Sequence, residues 1–360
     1  MSAPGEHEQL IDACRHGYRE LVAALIAEGV DVDAPRNGNG VSPLLVACLY
    51  GNSEIASMLL SAGALIDRAG SGGITALSVA CQDGHAETIS TLLAAGASVN
   101  QADRRGYTAL FRASVGGHTD IVAALLAAGA SVNQAAHITG YTPLFAVCLR
   151  GHTETAEALL AAGANVNQAD HDGLTPLFAA CQEGHVGVTQ LLSSYSANRQ
   201  VHPDLTAEEA AAFSNDGHGE LTAWLVGSRQ WCTPLHHLRI VEATRARALL
   251  RDGADLHAAA APGGPTPLSL ARGMDAAGDV ADGSTAHLVL QAAKPWSEAT
   301  HGLFPLAERE RAAALLRVGW ELSRQARFSG EEMALFDLWR EHVVPYAVVR
   351  RSGTTDSGSV

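Results

Sequence analysis

The chain has 360 residues, with 24 lysines and arginines against 38 aspartates and glutamates, so its net charge near neutral pH is −14. An acidic chain without a basic stripe repels phosphate backbones, which argues against nucleic acid as a direct partner. No apolar stretch reaches the roughly 18 residues of a membrane span, and the first residues lack the basic and apolar regions of a secretory signal. We expect a soluble protein of the cytoplasm or the nucleus, monomeric by itself and without membrane contact.

Five of the six cysteines occupy one recurring position of the chain. They are Cys14, Cys48, Cys81, Cys148 and Cys181, with Ser114 in the one vacant position of the series. Equivalent atoms of stacked helices lie about 8–10 Å apart, whereas a disulfide needs Cα atoms within about 7 Å. The regular spacing therefore predicts small buried thiols without a redox or metal role.

A three-residue pattern recurs through the first half of the chain. Its evenly spaced copies are Ser42-Pro43-Leu44, Thr75-Ala76-Leu77, Thr108-Ala109-Leu110, Thr142-Pro143-Leu144 and Thr175-Pro176-Leu177. Their spacing of about 33 residues is the period of ankyrin arrays. The stretch "GLTPLFAACQEGHVGVTQLL" (Gly173 to Leu192) resembles the ankyrin signature, with Phe178 where the family usually has histidine. The resemblance covers residues 41–192 closely, and residues 8–33 and 232–258 less closely.

Each copy carries the signals of two short helices. Threonine or serine caps the first helix, and the proline after it lacks an N–H that would be unpaired there. A glycine suits the left-handed residue that closes this helix; the glycines are Gly51, Gly84, Gly117, Gly151 and Gly184. One copy cannot bury its apolar face alone, so neighbouring copies stack. The predicted fold class is all-α: an ankyrin-repeat solenoid of helix-turn-helix units with β-turn fingers, closed by a C-terminal helical hairpin.

The pattern weakens after residue 200, and this change sets the predicted boundaries. Residues 6–200 hold the regular repeats, which we count as five, and residues 201–293 hold degenerate repeats, which bring the count to eight. The degenerate copies are Leu205–Gly227, Cys232–Ala258 with the motif Thr233-Pro234-Leu235-His236, and Pro265–Ala293 with an insertion near "GMDAAGDVADG".

Residues 294–350 are predicted to form a helical cap or a docking module, and residues 351–360 a disordered tail. The stretch Leu306–Phe328 has the pattern of a helix, with an apolar stripe formed by Leu306, Ala313, Leu316 and Trp320. The stretch "GEEMALFDLWREHVVPYAVV" predicts a second helix. The segment "PWSEATHGLFP" resembles one that follows ankyrin arrays in proteins of unicellular algae. The hairpin either covers the open end of the array or docks a second protein.

No motif of catalysis or of cofactor or metal binding is present. The histidines that recur once per repeat are His85, His118, His152 and His185, and in ankyrin units this imidazole bonds backbone groups of the neighbouring turn. There is no G-x-x-x-x-G-K-[ST] and no G-x-S-x-G. We therefore expect no cofactor and no enzymatic activity, with an enzyme whose site is assembled from distant residues as an alternative.

The near-identical repeats differ at a few positions, such as Arg112, Val115 and Arg150. In ankyrin proteins the partner typically contacts residues in the turn and late in the first helix. The turn positions of this sequence are Arg104, Arg105, Tyr107, Ile138, Thr139, Tyr141, His171, Asp172 and Leu174. The late helix positions are Leu49, Tyr50, Gln82, Asp83, Val115, Gly116, Leu149, Arg150, Gln182 and Glu183. Three phenylalanines in the usual histidine position either contact the partner or pack between repeats, and they are Phe111, Phe145 and Phe178.

The resemblance implies a non-catalytic scaffold or adaptor that binds a protein partner on the concave face and the finger loops of the array. The alternative is a substrate-recognition subunit of a ubiquitin ligase, with the C-terminal hairpin docking the ligase core. Lys294 is the single lysine, which would limit self-modification of such a subunit. Ankyrin adaptors of that class carry a cysteine-and-proline box, and this chain has no clear match to it.

Overall fold

The structure is a computed structural model that describes residues 4–34, 40–212, 219–231, 233–294, 297, 300–323 and 344. The chain divides into two compact bodies. The N-terminal body comprises Met1–Leu192 with Ala197–Thr222, and the C-terminal body comprises Ser193–Ser196 with Ala223–Val360. The succession of short paired helices confirms the predicted all-α repeat fold.

The described helices up to residue 194 form six pairs, one for each of the five regular repeats and one in front of them, where residues 8–33 resemble the family less closely. The pairs are α1 (Pro4–His16) and α2 (Arg19–Ala27), α3 (Pro43–Leu49) and α4 (Ser53–Ser61), α5 (Ala76–Asp83) and α6 (Ala86–Ala94), α7 (Ala109–Gly116) and α8 (Thr119–Ala127), α9 (Pro143–Arg150) and α10 (Thr153–Ala161), and α11 (Pro176–Gln182) and α12 (Val186–Ser194). First helices contact first helices of the next repeat, as α5, α7 and α9 do. Second helices stack likewise, as α8 and α10 do.

The first helix of every regular repeat begins at its predicted cap. The hydroxyl of Thr108 accepts a hydrogen bond from the Phe111 amide at 3.2 Å, and that of Thr142 accepts one from the Phe145 amide at 3.1 Å. A cap of this kind stabilises a helix by about 1 kcal/mol. The five glycines predicted to close these helices have φ angles between +69° and +78°. The local signals of the repeat are therefore confirmed at both ends of the helix.

The core of the N-terminal body is built from the repeated apolar positions. The leucine of the three-residue pattern is at most 2% exposed in every regular repeat: Leu44, Leu77, Leu110, Leu144 and Leu177. Burying one leucine contributes about 1.5–3 kcal/mol. Because each repeat supplies such residues to both of its neighbours, stacking is what stabilises the array.

Past residue 200 the helices no longer follow the regular pattern. A short antiparallel hairpin consists of β1 (Gln200–His202) and β2 (Leu205–Thr206). The helices that follow are α13 (Ala207–Ala212), α14 (Gly219–Gly227), α15 (Ala243–Arg251), α16 (Pro267–Ala276), α17 (Thr285–Ala292) and α18 (Leu306–Ser323). Single turns of 3-10 helix lie at Pro234–His236 and His301–Leu303. The predicted insertion corresponds to the end of α16 and the loop that precedes α17.

The motif at Thr233 restores the pattern of the repeat but not its first helix, which is a single 3-10 turn. Glu242 stands where the regular repeats have a glycine, so the residue that closes a first helix is missing. His236 is 1% exposed, and burial lowers its pKa. The neutral imidazole donates from Nε2 to the Pro265 carbonyl at 3.1 Å.

The apolar stripe predicted for α18 is wrong at its first two members. Leu306 is 59% exposed and Ala313 is exposed, whereas Ala312 is fully buried against Phe304. The buried side of the helix is thus rotated toward Ala312, because Phe304 supplies the surface on which it packs. The side chain of Trp320, the second predicted helix apart from the buried Val344, and the predicted tail lie outside the described residues.

The recurring cysteines are buried free thiols, as predicted. Burial raises the pKa of four of them to about 12, namely Cys14, Cys48, Cys81 and Cys181. It also raises the pKa of Cys148. The thiolate is the nucleophile, so a pKa near 12 leaves very little reactive sulfur at neutral pH.

Thiol labelling of the native chain at pH 8 should therefore spare these five cysteines. We expect each to react on the order of 1000-fold more slowly than in the denatured chain, since an ordinary thiol has a pKa of about 8.5. Peptide mass spectrometry after timed labelling measures the rate at each position. Equal rates in the native and the denatured chain at any of the five would contradict the buried placement.

Candidate functional site

The predicted fingers are closed turns that are tied to one another through main-chain groups. The Asp103 amide donates to the Tyr107 carbonyl at 3.1 Å, which closes the finger of the third regular repeat. The Arg104 amide donates to the Gly72 carbonyl of the preceding finger at 2.8 Å. The His137 amide of the next finger donates to the Arg105 carbonyl, also at 2.8 Å. Because these bonds use the backbone, the finger side chains are presented on a fixed support.

The predicted partner-binding residues differ widely in exposure. The exposed members are Tyr50, Gln82, Asp83, Arg104, Arg105, Gly116, Ile138, Arg150, His171, Asp172, Gln182 and Glu183. The half-buried members are Leu49, Tyr107, Val115, Thr139, Tyr141, Leu149, Leu174 and Phe178. Phe111 and Phe145 are buried, with 7% and 2% of their surfaces exposed. The set is therefore mostly accessible along the fingers and the ends of the first helices.

The two buried phenylalanines pack beneath tyrosines. The rings of Tyr107 and Phe111 stack with their centroids 4.5 Å apart, and those of Tyr141 and Phe145 stack at 4.3 Å. At Phe145 we correct the expectation of partner contact, since only 2% of this residue is exposed. Its role is to support Tyr141. Phe111 also supports a tyrosine, but it borders a cavity.

This cavity has a volume of about 370 Å³ and lies between the third and the fourth regular repeats, which begin at Thr108 and Thr142. We call it the tyrosine groove. Its lining residues are Gln82, Tyr107, Phe111, Arg112, Val115, Gly116, Tyr141, Ala146, Leu149 and Arg150. All of them except Arg112 and Ala146 belong to the positions that the sequence predicts for partner contact, in the turns, in the late first helices or in the phenylalanine slot.

The groove exists because two small residues lie beside the tyrosines of neighbouring repeats. Gly116 stands where the other regular repeats have Tyr50, Asp83, Arg150 and Glu183, so no side chain occupies the space at the end of α7. Ala146 stands where the third repeat has Arg112. Tyrosine precedes the helix cap in the third and fourth repeats alone among the regular five. The residues that vary between two neighbouring repeats thus form one concave surface.

Arg112 lines the tyrosine groove, although the predicted set of partner contacts omits it. Its guanidinium makes an ion pair with the Asp103 carboxylate at 2.7 Å and donates to Gln82 of the preceding repeat. The two charged side chains are 15% and 5% exposed, so the pair is largely shielded from solvent. The same Asp103 carboxylate accepts the amide of Arg105 at 2.8 Å. The sequence signal for Arg112 is a charged residue at a repeat position that otherwise holds valine or alanine, with an aspartate in the adjoining finger to pair with it.

The tyrosine hydroxyl at one wall of the groove stays protonated. Burial raises the pKa of Tyr141, and the charges of Asp170 and Asp172 raise it further. A protonated phenol donates a hydrogen bond. Tyr141 can therefore serve a carbonyl or carboxylate oxygen of a bound molecule while its ring contacts an apolar group.

The recurring histidines hold adjacent repeats together. The Nε2 atoms of His118 and His152 each donate at 3.3 Å to a carbonyl at the end of the preceding first helix, that of Gln82 and of Val115 respectively. His85 and His185 make equivalent bonds to the carbonyls of Leu49 and Leu149. The predicted scaffold role of these imidazoles is confirmed.

Among the residues that the structure describes, no group of three or more His, Cys, Asp or Glu side chains is arranged to hold a metal ion. The described helices include none with the length and apolar character that a membrane crossing requires.

Comparison with known proteins agrees with this architecture. A family model described as "Ankyrin repeats (3 copies)" matches residues 65–136 and 132–202, and one described as "Ankyrin repeats (many copies)" matches residues 10–60. Sequence comparison with curated proteins finds no match. Among solved structures, the human ASB11 ankyrin repeat domain is similar, with 29% identity and a TM-score of 0.53. The alignment covers 59% of this chain and 96% of that domain.

The family matches and the stacked helix pairs coincide over the regular repeats, and the capping threonines, closing glycines and bridging histidines occupy the positions that the repeat requires. Repeats of this family indicate a domain for protein–protein interaction. The chain belongs to the ankyrin-repeat family.

Proposed function

We propose that this protein is a non-catalytic adaptor that binds a segment of a protein partner along the fingers and first helices of its regular repeats. The observation that carries the proposal is the tyrosine groove, a concavity of about 370 Å³ formed by residues that vary between otherwise similar repeats. Tyrosine and arginine are enriched among the residues that dominate binding energy in protein interfaces, and both line this groove.

Two further features support a role without catalysis. The buried thiols have raised pKa values and so lack the thiolate that a nucleophile needs. The recurring imidazoles are engaged with backbone carbonyls. Neither set supplies a general base or a nucleophile to the tyrosine groove, whose lining holds aromatic, aliphatic, amide and guanidinium groups.

Site-specific photo-crosslinking tests the location of the partner. We expect the full chain with a photoreactive phenylalanine analogue at Tyr107 to crosslink a discrete protein in cells. The matched control places the same analogue at Ala127, which is exposed on α8 of the same repeat. Crosslinks from position 107 and none from position 127 would support the proposal. Crosslinks from position 127 alone would move the binding surface to the second helices.

A ubiquitin-ligase substrate-recognition subunit is the second candidate. The specific observation in its favour is the lone Lys294, because a chain with a single lysine offers few sites for its own modification. Affinity purification of the full chain followed by mass spectrometry distinguishes the two. Ligase components recovered in amounts similar to the crosslinked partner would support the ligase role. Recovery of the partner without them would leave the simpler adaptor.

A further inference from the structure

The charged residues that line the tyrosine groove are positive, opposite in sign to the net charge of the whole protein. The chain carries 38 acidic residues, yet no carboxylate is among the residues that line the groove, and two arginines are. Arg112 is neutralised by Asp103. Arg150 is exposed at the end of α9, and no hydrogen bond or ion pair engages its side chain within the described part of the chain. Arg150 therefore offers an unmatched positive charge at the rim.

The adjoining finger adds to this positive character. Arg104 and Arg105 lie exposed at the tip of the third-repeat finger, shortly before Tyr107. Their main-chain groups take part in the finger bonds, so the guanidinium groups remain available to a ligand. The flanking repeats are acidic at the position of Arg150, with Asp83 on one side and Glu183 on the other. An acidic ligand would be drawn to the two central repeats and repelled from their neighbours.

The floor of the groove is apolar. Phe111, Val115, Ala146 and Leu149 line it together with the rings of Tyr107 and Tyr141. A side chain that enters such a space loses contact with water on most of its surface, which favours a bulky aromatic or aliphatic group. The protonated Tyr141 phenol can donate a hydrogen bond to the backbone or to a carboxylate beside that group.

We propose that the partner segment is an extended acidic peptide, with one bulky apolar side chain held between Tyr107 and Tyr141 and neighbouring carboxylates paired with Arg150 and with the Arg104–Arg105 finger. This proposal rests on the adaptor function and specifies the chemistry of its ligand. The apolar side chain anchors the segment, and the carboxylates select it over basic or neutral segments of equal bulk.

A random peptide library displayed on phage tests this chemistry with the full-length protein. Peptides of about twelve residues, at about 3.3 Å for each extended residue, are long enough to cross two repeats. We expect the enriched peptides to share a tryptophan, phenylalanine or leucine next to two or more aspartates or glutamates. Replacing the apolar residue of a selected peptide by alanine should weaken its binding by about tenfold or more. Binding should also weaken as salt rises from about 50 to about 300 mM.

Two variants of the protein make the result specific to this site. Arg150→Glu should weaken a selected acidic peptide about tenfold or more and should improve the binding of its lysine-substituted version. Val115→Trp, at a half-buried position whose carbonyl still accepts from His152, should fill the groove and weaken both peptides. Ala127→Glu on α8 is the matched control and should change neither. Thermal melting of each variant confirms that it is folded.

The library and the photo-crosslinking experiment together separate this proposal from the adaptor function. A basic or uncharged consensus that Val115→Trp still abolishes would overturn the acidic chemistry and leave the adaptor function in place. Enriched acidic peptides that are insensitive to both variants would overturn the site. A library that yields no enriched peptide on the full chain would overturn the acidic-peptide proposal, while the crosslinks from position 107 would still decide the adaptor function.

Discussion

Reversing the charges of Arg104 and Arg105 together is expected to lower the affinity for the crosslinked partner by about 100-fold or more. Arginines at the centre of an interface commonly contribute about 2 kcal/mol or more each, and reversal adds repulsion to that loss. The free energy of unfolding should stay within about 0.5 kcal/mol of the wild type, since both side chains are exposed.

The geometry of the finger explains why affinity should fall while the free energy of unfolding is unchanged. Arg104 donates through its main-chain amide to the Gly72 carbonyl, and Arg105 donates through its amide to the Asp103 carboxylate, both at 2.8 Å. A glutamate at either position retains these bonds. Binding isotherms and urea unfolding of the Arg104→Glu, Arg105→Glu double variant measure the two effects separately.

A charge-matched control distinguishes a local contact from a general effect of added acid. Ala123→Glu with Ala127→Glu places two carboxylates on the exposed face of α8, in the same repeat. We expect this variant to bind the partner as the wild type does. Unchanged binding by the double arginine variant would put the partner elsewhere on the array.

The largest loss of stability is expected for Gly106→Ala. Gly106 has a φ of +87°, a conformation that costs an L-residue roughly 1–2 kcal/mol. A Cβ atom here would also collide with the His137 amide nitrogen of the next finger. Overpacking of that kind typically costs about 1–3 kcal/mol. Together the two effects should lower the free energy of unfolding by about 2–5 kcal/mol.

Gly129→Ala is the matched control for this prediction. Gly129 lies in the same repeat with a φ of +86°, and a Cβ atom there would meet nothing within 4 Å. It should lose only the conformational part, about 1–2 kcal/mol. Urea unfolding followed by circular dichroism compares the two. Equal losses would mean that the finger-to-finger contact is loose and that the fingers do not form a fixed support.

The fold could be predicted because its signals are local. Thr108 caps its helix through the nearby Phe111 amide, and the spacing of 33 or 34 residues places the other caps, the closing glycines and the four bridging histidines. The prediction of helices from local signals was less accurate where those signals are incomplete. The motif at Thr233 lacks the closing glycine, and the helix after it is a single turn. In α18 the predicted stripe was wrong at Leu306 and Ala313, because contact with Phe304 buries Ala312 instead.

The candidate site was predicted less completely. Its position on the fingers and late first helices followed from the resemblance, and Tyr107, Tyr141 and Arg150 line the groove that the structure contains. The burial of Phe145 beneath Tyr141 and the shielded pair of Arg112 with Asp103 did not follow. Both depend on distances between side chains whose orientation a one-dimensional pattern does not specify.

The amino-acid sequence by itself determined the repeat, the order of its helices and the buried state of its cysteines, because each depends on short-range signals copied at a constant period. Only the tertiary structure decided that Gly116, Ala146 and two tyrosines meet in one groove with positive charge at its rim. The groove depends on contacts between residues about one repeat apart in the chain, because stacking places the variable residues of two neighbouring repeats side by side.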